Sequence, residues 1–150
     1  MKPYHICSVL ILMMANVMMS LSMNAAVPYT EEADAFIGTW ISPQSYNEDE
    51  KQIKITQQGE HMTLRMKSRP SRYLIEEMRV SDTYDYDKVM NLTFQNGIFS
   101  WEQPVKTSGV HVYWSLQFKG GDLILHRHGT VPEDNYHTHN DYIMYPKDDF

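Results

Sequence analysis

Between residues 110 and 128 the chain reads VHVYWSLQFKGGDLILHRH, with Val110, Val112, Trp114, Leu116 and Phe118 alternating with His111, Tyr113, Ser115 and Gln117 before Gly120-Gly121. Alternation with a period of two predicts a strand with one buried face. A Gly-Gly pair suits the two-residue type I′ or II′ turn between antiparallel strands, so the segment predicts a β-hairpin of readable register. Phe118 then faces Leu123, Leu116 faces Leu125 and Trp114 faces Arg127. On the opposite face His126 lies across from Ser115 and His128 across from Tyr113.

The same pattern predicts further strands at residues 36–41, 52–57, 62–67, 73–80, 89–94, 98–103 and 142–145. Gln58-Gly59 reads as a tight turn. Asn96-Gly97 is a stronger hairpin signal and sets Phe94 opposite Phe99, Leu92 opposite Trp101 and Met90 opposite Gln103. In the segment 73–80, Leu74, Met78 and Val80 share a parity on which Glu76 is a misfit. Residues 31–36 are the only helical lead-in after the amino-terminal segment. Residues 42–51 and 129–140 read as long connections, and the acidic stretches 48–50 and 82–87 as solvated loops.

Sequential strands joined by tight turns make an antiparallel up-and-down meander of eight or nine strands. Closure into a barrel hides its apolar face and removes the edges; a β-sandwich is the alternative. In the barrel Met62, Met66, Phe94, Phe99, Trp101 and Trp114 point inward. Such residues either fill the lumen as core or line an apolar ligand pocket.

The amino terminus changes the domain count. Lys2, a mostly apolar run from residue 6 to 21 and the small residues Ala25-Ala26 resemble a secretory signal, too short and interrupted to span a bilayer. The expected division is a signal peptide at 1–26 and a single domain at 27–150, secreted or periplasmic. The one cysteine, Cys7, falls in the signal, so the expected mature chain has no thiol. The full chain has 13 basic and 19 acidic residues, a net charge of −6. That balance argues against nucleic acid, whose phosphates demand a basic face.

Ile37-Gly38-Thr39-Trp40 at the start of the predicted first strand resembles the Gly-x-Trp opening of lipocalins and their small exported relatives. The late hairpin Lys119-Gly120-Gly121-Asp122 suits that layout, which spans residues 36 to 146. The resemblance implies a lipocalin-like barrel in which an arginine of a late strand crosses the tryptophan of the first. Arg127 fills that role, over Trp40 or Trp114, as a structural cap or as counter-ion to a ligand. Trp40 and Arg127 therefore join the six inward residues as the candidate ligand-binding set.

Histidine is unevenly spread: His126, His128, His137 and His139 form two His-x-His pairs. A spacing of two on a strand puts both imidazoles on one face, as a metal chelate needs. His111 is one diagonal step from His128, and Asp141 or Glu133 would complete a set suited to zinc or another divalent metal. Gly120, His126, His128 and Glu133 also follow the spacing of the first metal motif of cupins, but the second motif of that fold is missing. Solvated surface histidines are the default reading, with no cofactor.

No Gly-x-Ser-x-Gly elbow or phosphate-cradling glycine loop occurs, and no catalytic residue is assigned. The expected function is that of an exported, non-catalytic lipocalin-like domain binding a small hydrophobic molecule or an exported partner protein. The alternative is a metal-binding protein or metal-dependent enzyme built on the histidines.

Overall fold

The computed structural model describes residues 25–106 and 109–148; apart from Ala25 and Ala26, the expected signal peptide lies outside the described residues, as does Cys7. The strands are β1 (Ala26–Pro28), β2 (Gly38–Ile41), β3 (Glu50–Gln58), β4 (His61–Arg69), β5 (Asp85–Asp87), β6 (Met90–Gln95), β7 (Ile98–Gln103), β8 (His111–Lys119), β9 (Asp122–Val131) and β10 (Tyr136–Lys147). Nine of them form one antiparallel path, β1-β4-β3-β2-β10-β9-β8-β7-β6, and β5 pairs with β4 off that path. The end strands β1 and β6 lie against each other, so the sheet is a nearly closed barrel and not a sandwich. Burial of one face by closure is what the alternating strands required.

The hairpin of β8 and β9 has the predicted register throughout, with Trp114 opposite Arg127, Ser115 opposite His126 and Tyr113 opposite His128. Gly120 and Gly121 both take positive φ, 58° and 90°, as the turn demands. The lumen is occupied by side chains. Ile53, Ile55, Met62, Leu64, Met66, Phe99, Leu116, Leu123 and Leu125 are each less than 2 % exposed or close to it. Phe36, which ends a 3-10 turn at Glu31–Phe36, closes one end by edge contacts with Phe94 and Phe99. Phe118 is not inside as its parity implied; it is 38 % exposed and covers Phe36 and Trp40 from the rim.

Several boundaries differ from the sequence reading. The segment 73–80 is not a strand: residues Arg72–Glu76 form a short helix, α1, whose amino-terminal Ser71 accepts from the Leu74 amide. Local capping outweighs the two-residue parity here. Glu76, the misfit on a strand, pairs with Arg72 one helical turn back at 3.5 Å. In the hairpin of β6 and β7 Phe94 does face Phe99, but an irregularity between Met90 and Thr93 moves Met90 opposite Glu102 instead of Gln103. Asn91, inside that irregularity, has φ 55°. The extra residue of a bulge explains the lost register.

The connection expected at 129–140 is mostly strand. β9 continues to Val131, a 3-10 turn at Pro132–Asp134 reverses the chain, and β10 pairs with β9 from Tyr136 onward. β10 then passes from β9 to β2, joining the last strand to the Gly-x-Trp strand. Of the acidic stretch 82–87, Asp85–Asp87 is a strand on β4 and not a loop.

Candidate functional site

The two-residue alternation continues along β10, so His137, His139 and Asp141 share the outer face with His126 and His128 of β9. In the register His139 lies opposite His128 and Asp141 opposite His126. His126 Nδ1 donates to Asp141 Oδ1 at 2.5 Å, and its Nε2 lies 3.1 Å from His139 Nδ1. His128 Nε2 lies 3.1 Å from His137 Nδ1. The rings of His128 and His139 stack at 4.3 Å with 12° between planes, and the four imidazoles form one continuous row. Partial desolvation, followed by the neighbouring imidazoles of residues 139, 137 and 126, holds His128 below its usual pKa.

The other candidates stand apart from the row. His111 pairs with Thr130 and stacks on Tyr113, which in turn leans on His128. Glu133 is exposed in the 3-10 turn at Pro132–Asp134. Among the described residues no three His, Cys, Asp or Glu side chains converge on one metal position. The donors meet in pairs.

Beside this row an open groove of about 400 Å3 crosses the outside of the sheet, lined by Asn91, Ser100, Glu102, Tyr113, Ser115, His126 and His128 among others. Its floor is the backs of β7, β8 and β9. Asn91 donates to Glu102 at 2.6 Å along one wall, and the Tyr113 ring is 38 % exposed beside it. No helix of the described residues is long and apolar enough to cross a membrane.

The inward set is brought together as core. Met62, Met66, Phe99, Trp101 and Trp114 are buried, and Phe94 and Trp40 are partly so. Trp40 donates from Nε1 to the Phe36 carbonyl at 2.9 Å. Trp101 Nε1 is buried without a hydrogen-bond partner. Arg127 does not lie over Trp40: Arg127 pairs with Asn140 and Trp40 with Pro146, far along the same strand. The cation over Trp114 is Lys51, whose Nζ is 5.3 Å from the ring centroid. Arg127 instead donates to Thr138 Oγ1 at 3.3 Å.

Lys51 belongs to a polar network at this end of the lumen that the sequence reading missed. Its Nζ donates to Ser68 Oγ at 2.9 Å, and the Ser68 hydroxyl donates to Asp87 Oδ2 at 2.5 Å. Gln103 donates to the other Asp87 oxygen at 3.0 Å and accepts from Trp114 Nε1 at 2.8 Å. Burial pushes the Lys51 ammonium below its usual range, against the pull of Asp87 and Asp49. Burial likewise raises the Asp87 carboxyl, against the Ser68 hydrogen bond. Lys51, Ser68, Asp87, Gln103 and Trp114 Nε1 thus each have a partner, which makes the network a satisfied part of the core.

Gly129 leaves the space that Arg127 uses. A Cβ there would stand 2.7 Å from Thr138 Oγ1 and 3.2 Å from an Arg127 guanidinium nitrogen. Gly129→Ala is expected to lower stability by about 1–3 kcal/mol, as overpacking does. Urea unfolding checks it: in a Thr138→Ala background the loss should shrink by half or more, and an unchanged loss would locate the clash elsewhere.

Comparison with family models, curated proteins and solved structures finds no match. The chain is an all-β, nearly closed antiparallel barrel of a kind compatible with the lipocalin-like fold.

Proposed function

We propose that this protein is an exported, non-catalytic binding module that engages another exported macromolecule through the outside of its barrel. The observation that carries this reading is the groove over β7, β8 and β9, a concavity on the outer face of a barrel whose lumen is occupied by side chains. Barrels of this size either fill with side chains or hold one small ligand. The packing of Phe99, Leu116, Leu125 and Met66 favours the first. The groove offers the exposed Tyr113 ring, a residue type enriched among interface anchors, beside the hydroxyls of Ser100 and Ser115 and the Glu102 carboxylate. The lipocalin-like architecture supplies the rigid frame.

A photo-crosslinking amino acid at position 115, expressed in the cells that make the protein, should yield one discrete high-mass adduct. The same probe at Glu60, in the exposed turn between β3 and β4, should yield none. Tyr113→Ala should weaken capture by about tenfold or more, as loss of an aromatic anchor does. Equal adducts from both positions, or saturable uptake of the lumen dye 1-N-phenylnaphthylamine unaffected by Tyr113→Ala, would move the binding site away from the groove.

A further inference from the structure

We infer that β9 and β10 carry a cross-strand metal chelate in which His126 Nε2 and His139 Nδ1 bind one divalent transition metal of the zinc, nickel or copper type. This inference stands apart from the groove reading, although His126 borders both. Two nitrogens bound side by side at about 2.0–2.1 Å from one metal, at angles of about 90–109°, are separated by roughly 2.9–3.4 Å. His126 Nε2 and His139 Nδ1 are 3.1 Å apart.

The tautomer is set as well. Asp141 Oδ1 accepts the hydrogen bond from His126 Nδ1–H, so the lone pair of that ring is on Nε2, toward His139. A carboxylate behind a ligating histidine orients the ring and raises its basicity. Without metal the two facing nitrogens share the His139 Nδ1 proton. On metal binding that proton moves to His139 Nε2, so neither ring gains or loses a proton overall.

Hydrogen bonding and ring stacking hold the pair in place on the outer face. The His126 side chain is 33 % exposed, open enough for an ion to reach, and His139 is braced by its stack on His128. Imidazole donors suit zinc, copper and nickel over magnesium or calcium, which take oxygen ligands. With two protein donors, water fills the remaining positions. His128 Nε2 and His137 Nδ1 repeat the 3.1 Å spacing one step along the row without a carboxylate behind them, and form a second, weaker site.

Isothermal titration of the whole mature protein with ZnCl2 and with NiCl2, in buffer free of chelating amines, should show one tighter equivalent. His126→Ala and His139→Ala should each remove it, and Asp141→Ala should weaken it by about 10–100-fold. His128→Ala, which removes only the ring stacked behind His139, should weaken it less than Asp141→Ala does. Zinc titration of the unsubstituted protein followed by imidazole NMR gives a readout independent of the variants' folding: the ring signals of His126 and His139 should move first and together. Absence of saturable binding, a first equivalent that survives His126→Ala or His139→Ala, or first shifts at other histidines would overturn the proposal.

Discussion

Replacing Phe99 by alanine is expected to remove about 3–5 kcal/mol of stability, the range for an aromatic deleted from a packed core. Phe99 is fully buried where three elements meet. It lies opposite Phe94 on β6 and Leu116 on β8, and its ring meets Phe36 of the 3-10 turn edge-on at 5.1 Å. Alanine would leave a void that none of these can fill without breaking strand pairing, so the cavity persists and its lining loses dispersion contacts. With a urea m-value of about 2 kcal/mol/M the unfolding midpoint should fall by roughly 2 M. A loss below about 1 kcal/mol, smaller than core cavities produce, would show that the turn at Glu31–Phe36 collapses onto the gap and is not a fixed lid.

The second large effect is expected at Asp87. Asp87→Ala should cost about 1–3 kcal/mol, the range for leaving buried hydrogen-bonding groups unpaired, because Asp49 still stands 3.9 Å from Lys51 Nζ. The loss comes from leaving the ammonium and the Ser68 hydroxyl without their anion. Combining it with Lys51→Met should recover at least half, since a methionine of similar length needs no counter-ion. A double variant as unstable as Asp87→Ala alone would show that Asp87 acts through Gln103 and not through Lys51.

The pH dependence has a definite sign. The folded protein holds the Lys51 proton less tightly than the unfolded chain does, so burial of the ammonium costs stability at neutral pH. That cost is relieved as pH rises through the folded pKa toward about 10.5, the unfolded value. The unsubstituted protein should therefore gain stability relative to Lys51→Met as pH rises across that window, which urea unfolding at several pH values checks.

Much of both predictions rests on parity that the sequence already displayed. Alternation alone turns Phe99, Leu116 and Leu125 inward. Counting back two from Ile53 reaches Lys51, forward two from Met66 reaches Ser68, and back two from Val89 reaches Asp87, all on the inward side. Charge makes Lys51 and Asp87 read as connection and loop, because an isolated charge is expelled from an apolar core, and Ser68 falls just past the strand read at 62–67. Only their meeting across β3, β4, β5 and β7 satisfies them, and no single strand reveals that partnership.

The histidine row divides the same way. Spacing assigned His126 and His128 to one face, and likewise His137 and His139, because side chains on a strand alternate. The offset between the two pairs depends on how β10 registers on β9, which is decided by the turn at Pro132–Asp134 and by Met144 entering the core. Shifting that register by one residue would turn His137 and His139 into the lumen. Strand order has the same origin. Gly120-Gly121 and Asn96-Gly97 determined their own hairpins from local backbone chemistry, whereas the pairing of β10 with β2 and the meeting of β1 with β6 belong to closure of the whole sheet. Local alternation and turn residues act over a few positions and are written in the sequence; long-range register, the bulge at Asn91 and the partners of buried charges are decided where distant strands compete for one lumen.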